Sequence, residues 1–198
     1  MKATLLTFSL LPGLLSAQSI FTGDGNWQDP LLWNTGALPP DNSQVQVNGI
    51  CEVSQNTGTA NTDNPSRIEI GSGAGAVGEL TVSGGTSSGA HGGGNGIFVG
   101  VNGGNGTLIV EEGATYRSQG ANMEVAIGDS LGGTGFISVS GELQIYKFLN
   151  INNGTLEMQP TGKNNLFNSN NPSTIGAAGT LSFIIDGPNI GALERSTT

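Results

Sequence analysis

The phrase Gly106-Thr107-Leu108-Ile109-Val110 recurs along this chain, and the recurrence limits what it can fold into more than any other feature. Upstream it reads Gly78-Glu79-Leu80-Thr81-Val82, and downstream Gly135-Phe136-Ile137-Ser138-Val139. Looser copies follow as Gly154-Thr155-Leu156-Glu157-Met158 and Gly179-Thr180-Leu181-Ser182-Phe183. Each copy is a glycine followed by apolar residues at every second position, the alternation of a strand with one buried side. The leading glycines lie 28, 29, 19 and 25 residues apart, a period that belongs to solenoids.

A second phrase precedes the first in three of the copies. It ends in glycine: Ile68-Glu69-Ile70-Gly71, Ile97-Phe98-Val99-Gly100 and Val125-Ala126-Ile127-Gly128. A glycine-rich turn separates the two phrases, and a Ser- and Gly-rich arc leads to the next copy. Stacking the copies aligns Leu80, Leu108, Ile137, Leu156 and Leu181 in one inward column, and Val82, Val110, Val139, Met158 and Phe183 in a second. Ile68, Ile97 and Val125 make a third column, and Ile70, Val99 and Ile127 a fourth. No single copy can bury its apolar side alone, so stability requires stacking. The expected fold is all-β, a right-handed parallel β-helix (β-solenoid) with coils of about 20–29 residues. Outward positions are Thr81, Ile109, Ser138, Glu157 and Ser182 beside the first two columns, and Glu69, Phe98 and Ala126 beside the others. Phe98 and Ile109, in one repeat, suggest a small apolar contact patch.

Four segments follow from this reading. Residues 1–17 have the form of a secretory signal peptide, with Lys2 before an apolar run and Ser16-Ala17 at the cleavage point. Residues 18–48 form an N-terminal cap and first strand, 49–187 the solenoid repeats, and 188–198 a tail. Ile190 and Leu193 are expected to cover the last apolar coil, unless the chain is a fragment of a longer protein. The apolar run is too short to span a bilayer, so the expectation is a secreted protein, extracellular or on the outer cell surface, without membrane insertion.

Glycine makes up 34 of the 198 residues but follows no triplet period, which excludes collagen and places the excess in turns. The net charge is −9, with no basic run, so nucleic acid and anionic membranes are poor partners. The single cysteine, Cys51, has no partner for an internal disulfide and reads as a small buried residue.

The chemistry-bearing side chains form no catalytic set. The lone histidine, His91, sits in a glycine-rich arc with nothing to orient it. Glu111-Glu112 are adjacent at a strand end, where they diverge, and a pair of cooperating carboxylates needs about 5–10 Å between them. Asp129 follows Gly128 in a turn without an evident partner, and Lys147 and Arg117 stand apart from acidic groups. The turn Asn102-Gly103-Gly104-Asn105 carries asparagine where a calcium-binding β-roll has aspartate, so no metal site is expected. An ice-binding rank of outward threonines fails, because Thr81 gives way to Ile109 and Ser138. Asn105-Gly106-Thr107 and Asn153-Gly154-Thr155 match glycosylation sequons that the repeat phrase explains equally well. No catalytic residue, cofactor or metal ligand is therefore assigned. Trp27 and Trp33 are the one candidate contact, as a platform for stacking a sugar; closure of the first coil by these bulky rings is the favoured reading.

The phrase Trp33-Asn34-Thr35-Gly36…Pro39-Pro40-Asp41, followed by the repeated Ile-Gly, glycine-rich turn and Gly-x-Leu-x-Val unit, resembles exported bacterial β-strand-repeat proteins. These include autotransporter passenger repeats and PEP-CTERM-associated surface proteins. The resemblance implies a β-helix at or beyond the outer membrane with adhesive or structural roles, and it carries no catalytic residues over. The expected function is a secreted or cell-surface structural or adhesive solenoid, not an enzyme. The alternative is a carbohydrate-binding module or a piece of a polysaccharide-active β-helix protein. Expected partners are extracellular polysaccharide or other surface proteins, and end-to-end self-association of the stack stays open.

Overall fold

The structure is a computed structural model that describes residues 18–40, 43–54, 66–84, 86–89, 96–118, 124–145, 148–166 and 173–184. The expected signal peptide, His91, Lys147, and the covering residues Ile190 and Leu193 lie outside the described residues.

The chain is a β-solenoid whose strands pair in parallel with the copies before and after them. The first coil holds β1 (Ser19–Phe21) and β2 (Asp24–Asn26), and the second β3 (Gln44–Val47) and β4 (Ile50–Val53). The third holds β5 (Arg67–Ser72), β6 (Val77–Val82) and β7 (Thr86–Gly89), and the fourth β8 (Gly96–Val101), β9 (Asn105–Val110) and β10 (Thr115–Ser118). The fifth holds β11 (Glu124–Ile127), β12 (Thr134–Val139) and β13 (Glu142–Ile145), and the sixth β14 (Phe148–Met158) and β15 (Lys163–Leu166). A last partial coil carries β16 (Thr174–Phe183).

These strands form three faces. The first comprises β1, β3, β5, β8, β11 and the start of β14; the second comprises β2, β4, β6, β9, β12 and the rest of β14. β14 runs unbroken past the corner between them, with a register irregularity at Ile151/Asn153 where it pairs with β16. The third face, β7-β10-β13-β15, lies in the arcs read from sequence as irregular returns.

The inward columns pair in the expected register. Leu80, Leu108, Ile137, Leu156 and Leu181 are successive partners, and Cys51 extends the column upward as the partner of Leu80. Val53, Val82, Val110, Val139, Met158 and Phe183 form the second column. On the first face, Val45, Ile68, Ile97, Val125 and Leu149 align, as do Phe21, Val47, Ile70, Val99, Ile127 and Ile151. Nearly all of these side chains are fully buried, so one core runs the length of the stack. Parallel pairing on both sides of each inner strand satisfies the backbone without a helix.

The glycines that end the first-face phrase are required by the corner. Gly71, Gly100 and Gly128 hold φ of +61°, +67° and +67°, in the left-handed region that L residues avoid. A Cβ at Gly100 would also fall on the backbone carbonyl of Thr134 in the next coil. The leading glycine of the second phrase fits into the same corner, since a Cβ on Gly106 would strike the amide of Gly100.

Both tryptophans close the first coil. Trp27 and Trp33 are 2% and 3% exposed and meet edge to face with centroids 4.8 Å apart; Trp33 meets Phe21 the same way at 5.2 Å. The Trp33 indole Nε1 donates to the Trp27 carbonyl at 2.9 Å. After a short 3-10 turn at Pro30–Leu32, the chain passes back along β1, with Trp33 bridged antiparallel to Phe21 and the Asn34 amide donating to Ile20 O at 2.9 Å. The outer edge of β1 is thereby paired, which blunts that strand against strand addition. The region expected as a cap already contains the first coil, because β1 and β2 pair in parallel with β3 and β4.

Tyr116 fills the interior behind the third face. Its hydroxyl is buried and has no hydrogen-bond partner among the described residues, and burial pushes its phenol pKa up. Removing that hydroxyl removes an unsatisfied polar group and leaves the ring packing intact. Tyr116→Phe is therefore expected to raise unfolding stability by about 1 kcal/mol in a denaturant titration. A loss of that size would show that the hydroxyl is bonded.

Candidate functional site

The turns between the first and second faces carry a ladder of polar side chains. Asn48 Oδ1 accepts from the Ser72 amide at 3.0 Å, and Asn48 Nδ2 donates to Ser72 O at 3.3 Å. Asn102 Nδ2 donates to Ser72 Oγ at 3.0 Å, and the Asn102 amide donates to Asp129 Oδ2. Asp129 Oδ1 accepts from the amides of Leu131 and Gly133, each at 3.0 Å. Asp129, which has no evident partner in sequence, thus holds its own turn and the turn above it. Asn102 reaches its place through φ +55°, the one positive φ of a non-glycine among the described residues. Asn105 Oδ1 accepts from Thr134 Oγ1, and Asn153 Nδ2 donates to Gly133 O at 2.9 Å. These asparagines join one coil to the next.

A second network lies on the outside of the first face. Alternation puts Glu69 outward, between the inward Ile68 and Ile70, yet it is only 7% exposed. Its carboxylate accepts from Arg67 Nε at 2.6 Å, Ser72 Oγ at 2.6 Å and Gln46 Nε2 at 3.1 Å. Phe98, one strand along, lies beneath the Arg67 guanidinium, 3.7 Å from the ring centroid. Burial by itself raises the pKa of Glu69. The bonds from Ser72 and Gln46 and the charge and bond of Arg67 outweigh that effect and hold it below the usual carboxylate value. A carboxylate with a lowered folded pKa stabilises the fold above its unfolded pKa and loses that contribution as the pH falls through the folded value. Glu69→Gln is expected to lower stability by about 1–3 kcal/mol at neutral pH and to flatten the acid limb of the stability profile below about pH 4. Parallel acid limbs for the two proteins would contradict the network.

Phe98 and Ile109 do not form one patch. Both are half-buried, and they occupy the first and second faces, on either side of the Gly100 corner. Trp27 and Trp33 give no sugar platform in this arrangement, because neither ring has a face open to solvent.

Hollows open on the outer surface among the described residues. Four residues separate β9 from β10, and four separate β14 from β15, but only Ser140 and Gly141 separate β12 from β13. The short middle turn leaves a notch of about 660 Å³, lined by Glu112, Thr115, Ser140, Glu142, Pro160 and Thr161. Glu142 Oε1 accepts from Gln144 Nε2 at 2.8 Å, and Gln144 Oε1 accepts from Arg117 Nε at 2.7 Å. A smaller hollow of about 340 Å³ lies on the second face at Asp24, Ile50, Glu52, Thr81, Ser83 and Glu111. Glu111 and Glu112 therefore line different hollows. Among the described residues, no three His, Cys, Asp or Glu side chains come together as a metal-binding group. Cys51 is fully buried in the core, where burial pushes its thiol pKa up, so it is held as the neutral thiol.

No protein family, no curated protein and no solved structure matches this chain.

Proposed function

We propose that this chain is a secreted or cell-surface structural or adhesive solenoid that presents its outer faces to partners and catalyses no reaction. The observation that carries this reading is where its polar side chains are spent. Asp129, Asn48, Asn102, Asn105, Asn153 and Glu69 all bond across to a neighbouring turn or strand and so hold coil to coil. The first coil is closed in the same way by the buried Phe21, Trp27 and Trp33, which leaves a stack with regular faces. Placement outside the cell rests on residues 1–17 and on the resemblance to exported repeat proteins. The test is binding of the full chain to cell-wall polysaccharide, host matrix and its own copies, beside assays for polysaccharide cleavage. Binding without turnover is the expected result. Turnover that disappears on one substitution would overturn the reading.

The notch supports the second reading, a carbohydrate-binding module. Carboxylates and hydroxyls in a hollow of that size suit the hydroxyls of a short neutral saccharide. Glu112→Ala would then weaken glycan binding while leaving unfolding unchanged. Tryptophan fluorescence would stay silent, since both rings are buried.

A further inference from the structure

The charges on this rod are sorted by face. Among the described residues, Arg67 lies on the first face, and Arg117 and Lys163 lie on the third. On the first face, Glu69 is neutralised by Arg67 and Glu124 accepts from Asn150 Nδ2 at 2.6 Å. The second face carries no basic residue at any outward position. Its outward ranks run Asp24, Ile50, Glu79, Thr107, Phe136, Thr155, Thr180 and Asn26, Glu52, Thr81, Ile109, Ser138, Glu157, Ser182.

The acidic groups gather toward the N-terminal coils of that face. Asp24 and Glu52 are exposed, and with Glu111 they surround Ile50, which is 54% exposed, in the smaller hollow. Glu79 is the strand partner of Ile50. Beyond this acidic end comes a strip of Thr107, Ile109, Phe136 and Thr155, half-buried and uncharged. Among the described residues no ion pair reaches Asp24, Glu52 or Glu79.

We propose that the second face docks a cationic polypeptide segment, one that sets Lys or Arg against Asp24, Glu52 and Glu79 and apolar side chains against Ile50, Ile109 and Phe136. Complementary charge across such a face steers association and selects against anionic competitors. A polypeptide is favoured over a polyamine sugar because the face pairs carboxylates with aliphatic and aromatic carbon, the two contacts that alternating basic and apolar side chains supply. The inference rests on the reading of the chain as a partner-presenting rod and names the partner for one of its faces.

The experiment titrates the full chain with a fluorescent peptide of alternating Lys and Leu, a matching Glu and Leu peptide, and a chitosan oligosaccharide, at low and high salt. Two charge-matched triple variants accompany it: Asp24→Asn/Glu52→Gln/Glu79→Gln on the second face, and Glu112→Gln/Glu124→Gln/Glu142→Gln elsewhere. The expected result is binding of the Lys peptide alone, about tenfold weaker in the second-face variant and nearly unchanged in the other, with salt weakening it throughout. Phe136→Ala should weaken the Lys and Leu peptide further while leaving its salt dependence unchanged. Equal losses in the two triple variants would show attraction to net charge alone and overturn the assignment. Stronger binding of chitosan at the second face would overturn the polypeptide and leave the partner-presenting rod standing. Absence of binding by every probe would overturn the inference, whereas only turnover bears on the proposal that the chain is not an enzyme.

Discussion

Gly100→Ala is expected to cost about 3 kcal/mol or more, enough to leave much of the protein unfolded at ordinary temperature. Two penalties combine at this corner. The residue sits at φ +67°, where an L side chain costs about 1–2 kcal/mol, and the new Cβ would fall on the Thr134 carbonyl. That carbonyl belongs to the backbone of the next coil, so relief requires moving a strand and not a side-chain tip. Gly113 separates the two penalties. It holds φ +82°, but a Cβ there would meet nothing within 4 Å. Gly113→Ala should therefore cost only about 1 kcal/mol. Denaturant midpoints of the two variants measure the difference directly. Equal losses would mean that the corner glycines serve only their dihedral angle and that the coils do not pack backbone against backbone there.

Leu108→Ala is the second large effect, expected at about 3 kcal/mol. Leu108 is fully buried, with Leu80 above it and Ile137 below, so truncation leaves a cavity with a coil on either side. Leu181 belongs to the same column but lies half-buried in the last described strand, with Leu156 as its one strand partner. Leu181→Ala should cost about 1 kcal/mol. The contrast follows from nearest-neighbour stacking: Leu108 packs between two coils, whereas among the described residues Leu181 packs against one. A single globular core would penalise the two substitutions alike.

Much of this was legible before any coordinates, for a physical reason. Inward columns such as Leu80–Leu108–Ile137 announce themselves because period-two alternation and a fixed interval both leave marks in the chain. The corner glycines were visible as Ile-Gly and Val-Gly endings, although the carbonyl that forbids a side chain there belongs to another coil. The third face was not legible. Thr86–Gly89 pairs with Thr115–Ser118 through backbone groups, and its polar sequence shows no alternation; Leu143 and Ile145 in β13 are the one hint. The role of Glu69 was hidden too: Arg67 and Ser72 are near in its own strand, but the contacts that bury it come from other coils. Gln46 lies one coil before it and Phe98 one coil after, at unequal spacing, so only the register brings them together. Asp129 was obscure for the same reason: the Asn102 amide that it accepts from lies 27 residues away on the turn above. The notch depends on a difference in turn length, visible once Ser140-Gly141 is placed between two longer turns.

The measurement that tests the stacked register most directly is pairwise distance along one outward rank of the second face. Thr81, Ile109, Ser138, Glu157 and Ser182 are successive partners, so Thr81 and Ser182 stand four strand spacings apart, about 19 Å between backbones. Asn26 continues the rank through Glu52, which puts it six spacings from Ser182, about 29 Å. Spin labels on cysteines placed at these positions leave the buried Cys51 untouched. An in-register stack gives two narrow distributions whose centres, after allowance for the label arms, differ by about two strand spacings. An Asn26–Ser182 distance no longer than Thr81–Ser182, or one too broad to assign, would contradict an in-register parallel stack.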